Sequence, residues 1–115
     1  MKRLTDSFSH ALEGIINTAR VEKNIKIHFI VMVCVIIVGL IVKLTVSEWI
    51  ICTVLFGLVI SAEMFNTALE KTLDYVNEDY DKKIRFIKDA SAGAVLVLAI
   101  ASTVIGLIIF LPKLL

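Results

Sequence analysis

Proline occurs once in 115 residues, as Pro112, and glycine only five times, so almost nothing interrupts the apolar stretches that fill the chain. Cysteine occurs twice, as Cys34 and Cys52, both inside those stretches. That setting argues against a disulfide framework or a thiolate metal centre and leaves small buried thiols. Twelve Lys and Arg against eleven Asp and Glu give a formal net charge of +1. Bulk electrostatics therefore gives no argument for nucleic acid, which is not expected as a partner, because neutralising phosphates needs a concentrated excess of basic residues. The sequence also lacks a G-x-x-x-x-G-K-[ST] loop and the glycine loop and catalytic loop of protein kinases, so any nucleotide site is not of a known soluble type. Internal repeats and low-complexity tracts are missing as well. Lys2 and Arg3 are followed by a mixed segment, not by a short apolar core with a small-residue cleavage site, so the first apolar stretch is expected to stay in the protein.

What the chain does contain is hydrophobic residues, 58% of the total. A soluble domain of this size would have too little polar surface to cover such a core, and membrane is the class that composition selects. Three stretches, residues 25–44, 49–73 and 90–111, each approach the roughly 20 residues that cross a bilayer core. In lipid every backbone donor and acceptor must be satisfied within its own segment, which makes them helices, and Pro112 is expected to close the third. Residues 1–20 place Leu4, Phe8, Ala11, Leu12, Ile15 and Ala19 at three- and four-residue intervals. This pattern predicts an amphipathic helix on the membrane surface or against the ends of the spans. The expected fold is all-α integral membrane, a single domain over residues 1–115 with one surface helix and three transmembrane helices. Basic residues gather before the first span and between the second and third, with only Lys43 and Lys113 on the other side. The N-terminus is therefore expected in the cytoplasm. Trp49, Tyr75 and Tyr80 suit interfacial anchors.

Several residues do not belong in lipid without a reason. Glu63, Asn66, Glu70 and Asp74 fall within a sector of about 80° on one helix, with Glu63 and Glu70 about 10 Å apart along its axis. Acids at hydrocarbon depth are costly unless paired, protonated or facing water. Glu22 before the first span and Asp89 before the third are placed to reach the same level, and a cluster of such acids suits a hard divalent cation, Mg²⁺ first. Lys82, Lys83, Arg85 and Lys88 beside them suit phosphates. Acidic ligands, Mg²⁺ and basic neighbours are what phosphoryl transfer needs. Plainer readings exist: Glu78 suits a solvated loop face, Glu70 could pair with Lys71 or Lys88, and Asn24 and His28 suit a helix-packing hydrogen bond as well as a lipid contact. A small proton- or cation-coupled transporter would explain Glu63 alone, and a non-catalytic subunit would explain none of the stripe. Small residues 90–94 permit close helix approach.

The run Glu63-x-x-Asn66-x-x-x-Glu70 followed by Asp74, then Lys88-Asp89-x-x-x-Gly93-Ala94-Val95, resembles the prokaryotic diacylglycerol kinase family over nearly the whole chain. The resemblance implies a homotrimer with active sites built between subunits at the cytoplasmic face of a bacterial plasma membrane. It implies Glu63 as general base, and Glu22 and Glu70 holding the Mg²⁺ of the co-substrate ATP. Arg3, His10, Asp79, Tyr80, Asp81, Lys88 and Asp89, with those two glutamates, occupy positions similar to nucleotide contacts. His10 stands where enterobacterial members have an aromatic residue. Residues 20–28 and the ending Phe110-Leu111-Pro112-Lys113 look more like the Gram-positive branch, which implies undecaprenol as the lipid, with diacylglycerol as the alternative. Asn24, His28 and Trp49 are the expected lipid contacts.

Overall fold

The computed structural model describes residues 2–76 and 81–115, and in them the chain forms four helices. They are α1 (Lys2–Val21), α2 (Lys23–Val42), α3 (Val46–Val76) and α4 (Lys82–Leu114). The last three are long and apolar enough to cross a membrane.

The junctions follow from local chemistry. Glu22 adopts an extended conformation (φ −100°, ψ 115°) and separates α1 from α2 by one residue. At the far end of α2, Lys43 turns left-handed (φ 59°), and the amides of Lys43 and Leu44 both reach the Gly39 carbonyl. That C-terminal cap satisfies the Gly39 carbonyl and folds Leu44 back, so the helix stops at Val42 instead of running to residue 44. Gly39 is required there: a β-carbon would lie 2.7 Å from the Trp49 ring and 2.8 Å from the Leu44 side chain.

Three residues later the chain re-enters a helix. The Thr45 amide donates to Glu48 Oε1 at 2.9 Å and the Glu48 amide to Thr45 Oγ1 at 3.2 Å, a reciprocal capping box. Lys113 Nζ lies 3.0 Å from the same Glu48 carboxylate and ties the end of α4 to the start of α3. Around this corner Leu44, Cys52 and Ile109 form a buried cluster with Trp49, Phe56 and Phe110 packed against it.

Two expectations change here. Pro112 does not end the last helix, which runs on to Leu114. A proline in the final turn costs one backbone bond and its ring lies where the helix is about to fray, while the Leu115 amide still reaches the Leu111 carbonyl at 3.0 Å. Cys34 is exposed and only Cys52 is buried, both as free thiols, because Cys34 lies on the outward face of α2.

At 31 residues, α3 is about 46 Å long, well beyond the roughly 30 Å of hydrocarbon it must cross. Its surplus carries the acidic residues towards α4. It packs against all three other helices, and it holds Glu63 and Thr67, the two polar residues buried among those described. Most outward apolar side chains remain exposed, as expected of helices whose solvent is lipid.

Candidate functional site: a buried carboxylate above a polar stripe

Glu63 sits at the centre of the site with 4% of its surface exposed. His28 of α2 approaches it, Nε2 to Oε1, at 3.4 Å. One turn along α3, Thr67 is also buried and bonds back through Oγ1 to the Glu63 carbonyl at 3.0 Å, so its hydroxyl adds no orphan beside the carboxylate. Helical spacing alone shows that Thr67 shares a face with Glu63, a signal the reading for charged residues passed over.

Further along α3, Asn66 Nδ2 donates to Glu70 Oε1 at 3.2 Å. The other end of that amide, Oδ1, is buried without a hydrogen-bond partner. Past Glu70, Lys88 of α4 reaches Asp74 Oδ1 at 2.7 Å. The stripe therefore meets α2 at its deep end and α4 at its shallow end.

The remaining acids are placed differently from the single cluster expected. Asp89 is exposed and lies 3.8 Å from Arg85 on its own helix. Glu22 stands at the N-cap of α2 without capping it. Among the described residues no three His, Cys, Asp or Glu gather around one point. Glu63, Glu70 and Asp74 lie on α3, Asp89 on α4 and Glu22 at the α1–α2 junction, and within one chain no three of them converge. Asp81 acts as the N-cap of α4, its Oδ1 accepting from the Ile84 amide at 2.8 Å. Arg3 and His10 are exposed on α1, and Asn24 is exposed on α2. Asp79 and Tyr80, with Glu78, lie outside the described residues.

The oxygen donors present suit magnesium in kind. Mg²⁺ keeps several waters and takes only one or two carboxylates, so a three-acid cage is not required. Glu70 has the unsatisfied Asn66 Oδ1 beside it, and Glu22 has an uncommitted carboxylate as regards capping.

Two apolar cavities lie between the helices. One, of about 480 Å³, runs between α2 and α3 from Trp49 to Met64 with Ile15 of α1 at its wall. The other, of about 320 Å³, has His28 in its wall and Ser102 of α4 opposite.

The sequence places the chain among known proteins. Residues 9–110 fit the profile described as prokaryotic diacylglycerol kinase. The chain belongs to this family. Among its relatives is the undecaprenol kinase of Bacillus subtilis (strain 168), 44% identical over 114 residues, which cover 99% of this chain and 93% of that protein. Another is the diacylglycerol kinase of Synechocystis sp. (strain ATCC 27184 / PCC 6803 / Kazusa), 34% identical over 110 residues, 95% of this chain and 63% of that one. Membership, with three spanning helices, makes the chain a multi-pass membrane lipid kinase. The transporter reading, which explained Glu63 alone, gives way to it.

Proposed function

We propose that the protein transfers the γ-phosphate of ATP to the hydroxyl of undecaprenol at the cytoplasmic face of a bacterial plasma membrane. The observation that carries the chemistry is Glu63, a carboxylate buried in a spanning helix at the head of a stripe that leads to Lys88. Near-complete coverage of the Bacillus subtilis undecaprenol kinase at 44% identity supports the choice of lipid.

In this reading Glu63 takes the proton from the lipid hydroxyl as its oxygen attacks the γ-phosphorus and the bond to the leaving ADP breaks. Glu22 and Glu70 would hold Mg²⁺, which when bound supplies positive charge to the triphosphate. Lys88, poised on Asp74, shifts its ammonium to the phosphates, and Arg3, His10, Asp79, Tyr80, Asp81 and Asp89 line the nucleotide. Asn66 and Asp74 support the stripe, while Asn24, His28 and Trp49 face the lipid. Trp49 borders the larger apolar cavity and His28 the smaller, so both lie where a hydrocarbon chain would rest.

The exposed apolar residues Leu4, Phe8, Leu12 and Ile15 of α1 suit an amphipathic helix on the bilayer surface. The N-terminus is cytoplasmic in this arrangement, by the distribution of Lys and Arg. A homotrimer brings acids of neighbouring chains together, which accounts for a ligand set that one chain leaves dispersed. The test is transfer of labelled γ-phosphate from Mg-ATP by purified protein in mixed micelles, with undecaprenol and diacylglycerol side by side. Labelled polyprenyl phosphate is the expected product. Phosphatidic acid in its place would retain the mechanism and reverse the lipid, and no transfer from folded protein would overturn the reading.

A further inference from the structure

Glu63 is buried in a helix that crosses lipid, and its carboxylate has to be oriented by something. Its own helix offers nothing for this: Thr67 is turned to the Glu63 backbone carbonyl, and Asn66 is turned to Glu70. The group that approaches the carboxylate is His28, 35 positions earlier in the chain and on a different helix. Its Nε2 lies 3.4 Å from Glu63 Oε1. Catalytic hydrogen bonds are often long before substrate binds and tighten in the reacting complex.

The turn of α2 that carries His28 is anchored in the protein. Ile25, one turn before it on the same face of α2, is 1% exposed and fastens this end of the helix. The imidazole also lies in the wall of the 320 Å³ apolar cavity. It thus stands between an apolar cavity and the carboxylate.

We propose that His28 is the positioning residue for Glu63. Its Nε2–H donates to Oε1 and turns Oε2 towards the lipid hydroxyl. The proton leaves the alcohol for Glu63 and does not pass to the imidazole, so His28 acts through Glu63 and needs only a donor at the Nε2 position. This rests on the reading of Glu63 as the base. A one-ångström misplacement of a reacting group can cost about a hundredfold in rate, which sets the size of effect to look for.

The experiment compares the full-length protein with His28→Leu, His28→Gln and Glu63→Gln in mixed micelles, recording kcat and KM for lipid and for Mg-ATP, with folding checked by thermal unfolding. A glutamine amide can reach the Nε2 position and donate there, whereas leucine fills the space without a donor. Expected are a fall in kcat of about tenfold to a hundredfold for His28→Leu, an unchanged KM for Mg-ATP, and return to within a few-fold of the parent for His28→Gln. Glu63→Gln should be inactive. With only two histidines in the chain, the ¹⁵N imidazole spectrum adds a direct readout: the His28 Nε2 resonance should move in Glu63→Gln while that of His10 stays. Normal kcat in His28→Leu beside an inactive Glu63→Gln would overturn the positioning role and leave the base intact. A lowered melting temperature with kcat unchanged would reduce His28 to a packing residue and also overturn it. A fully active Glu63→Gln would sink the base reading, and the role of His28 with it.

Discussion

Replacing Lys88 by methionine separates what this lysine does for the fold from the nucleotide role proposed for it. Its ammonium lies 2.7 Å from Asp74 Oδ1, and the two side chains are 15% and 53% exposed. With the carboxylate more than half in solvent, the pair is screened and is worth at most about 1 kcal/mol to stability. The aliphatic stem of Lys88 is well covered, and methionine keeps most of that packing. The proposed contact to ATP would be another matter, because a hydrogen bond from an ammonium to a charged phosphate contributes about 1.5–3 kcal/mol. At about 1.4 kcal/mol per factor of ten, its loss raises the KM for Mg-ATP roughly tenfold to 150-fold. The assay is steady-state phosphoryl transfer at saturating lipid with Mg-ATP varied, alongside thermal unfolding in the same micelles. A large rise in KM with the melting temperature nearly unchanged is expected. If KM stays within twofold of the parent, Lys88 is a structural partner of Asp74 and its nucleotide role is refuted.

Glu63→Gln keeps the volume of a residue that is 4% exposed, so the fold should persist while kcat falls by about 10²- to 10⁴-fold, the usual contribution of general base catalysis; a loss of ATP binding of the same size would contradict this. Glu70→Gln should shift the magnesium dependence of activity to higher concentrations, seen by titrating free Mg²⁺ at fixed ATP, and an unaltered curve would remove Glu70 from the proposed metal ligands. Gly39→Leu must displace the Trp49 ring and should destabilise the protein by about 1–3 kcal/mol, measured by thermal unfolding. Glu48→Gln retains an acceptor for the Thr45 amide and loses only the charge facing Lys113; it should therefore lower the melting temperature less than Glu48→Ala, and equal losses would show that the capping box adds nothing.

Much of the candidate site was legible because its elements are local. Glu63, Asn66, Glu70 and Asp74 share a face through the helical repeat alone, and acids in an apolar run stand out against their surroundings. The corner at Gly39, Lys43 and Thr45 was less legible. Residue 44 belongs to the apolar run by hydropathy, and only the left-handed Lys43 shows that the run and the helix end at different places. Thr45 and Glu48 carry the spacing of a capping box, a local signal that marks the start of α3 in the sequence. Pro112 illustrates the converse: a strong stop signal counts for little in a last turn.

The amino-acid sequence by itself determined the class of protein, the number and order of its helices, the stripe on α3 and the family. These follow from composition, from the 3.6-residue repeat and from motifs at short spacing, all of which are properties of neighbouring residues. The pairing of His28 with Glu63, of Lys88 with Asp74 and of Lys113 with Glu48 was decided only by the tertiary structure. Each joins residues on different helices, and the depth and rotation at which two helices meet depend on how their side chains interlock. No local pattern carries that register, which is why the charges could be counted beforehand while their partners could not be assigned.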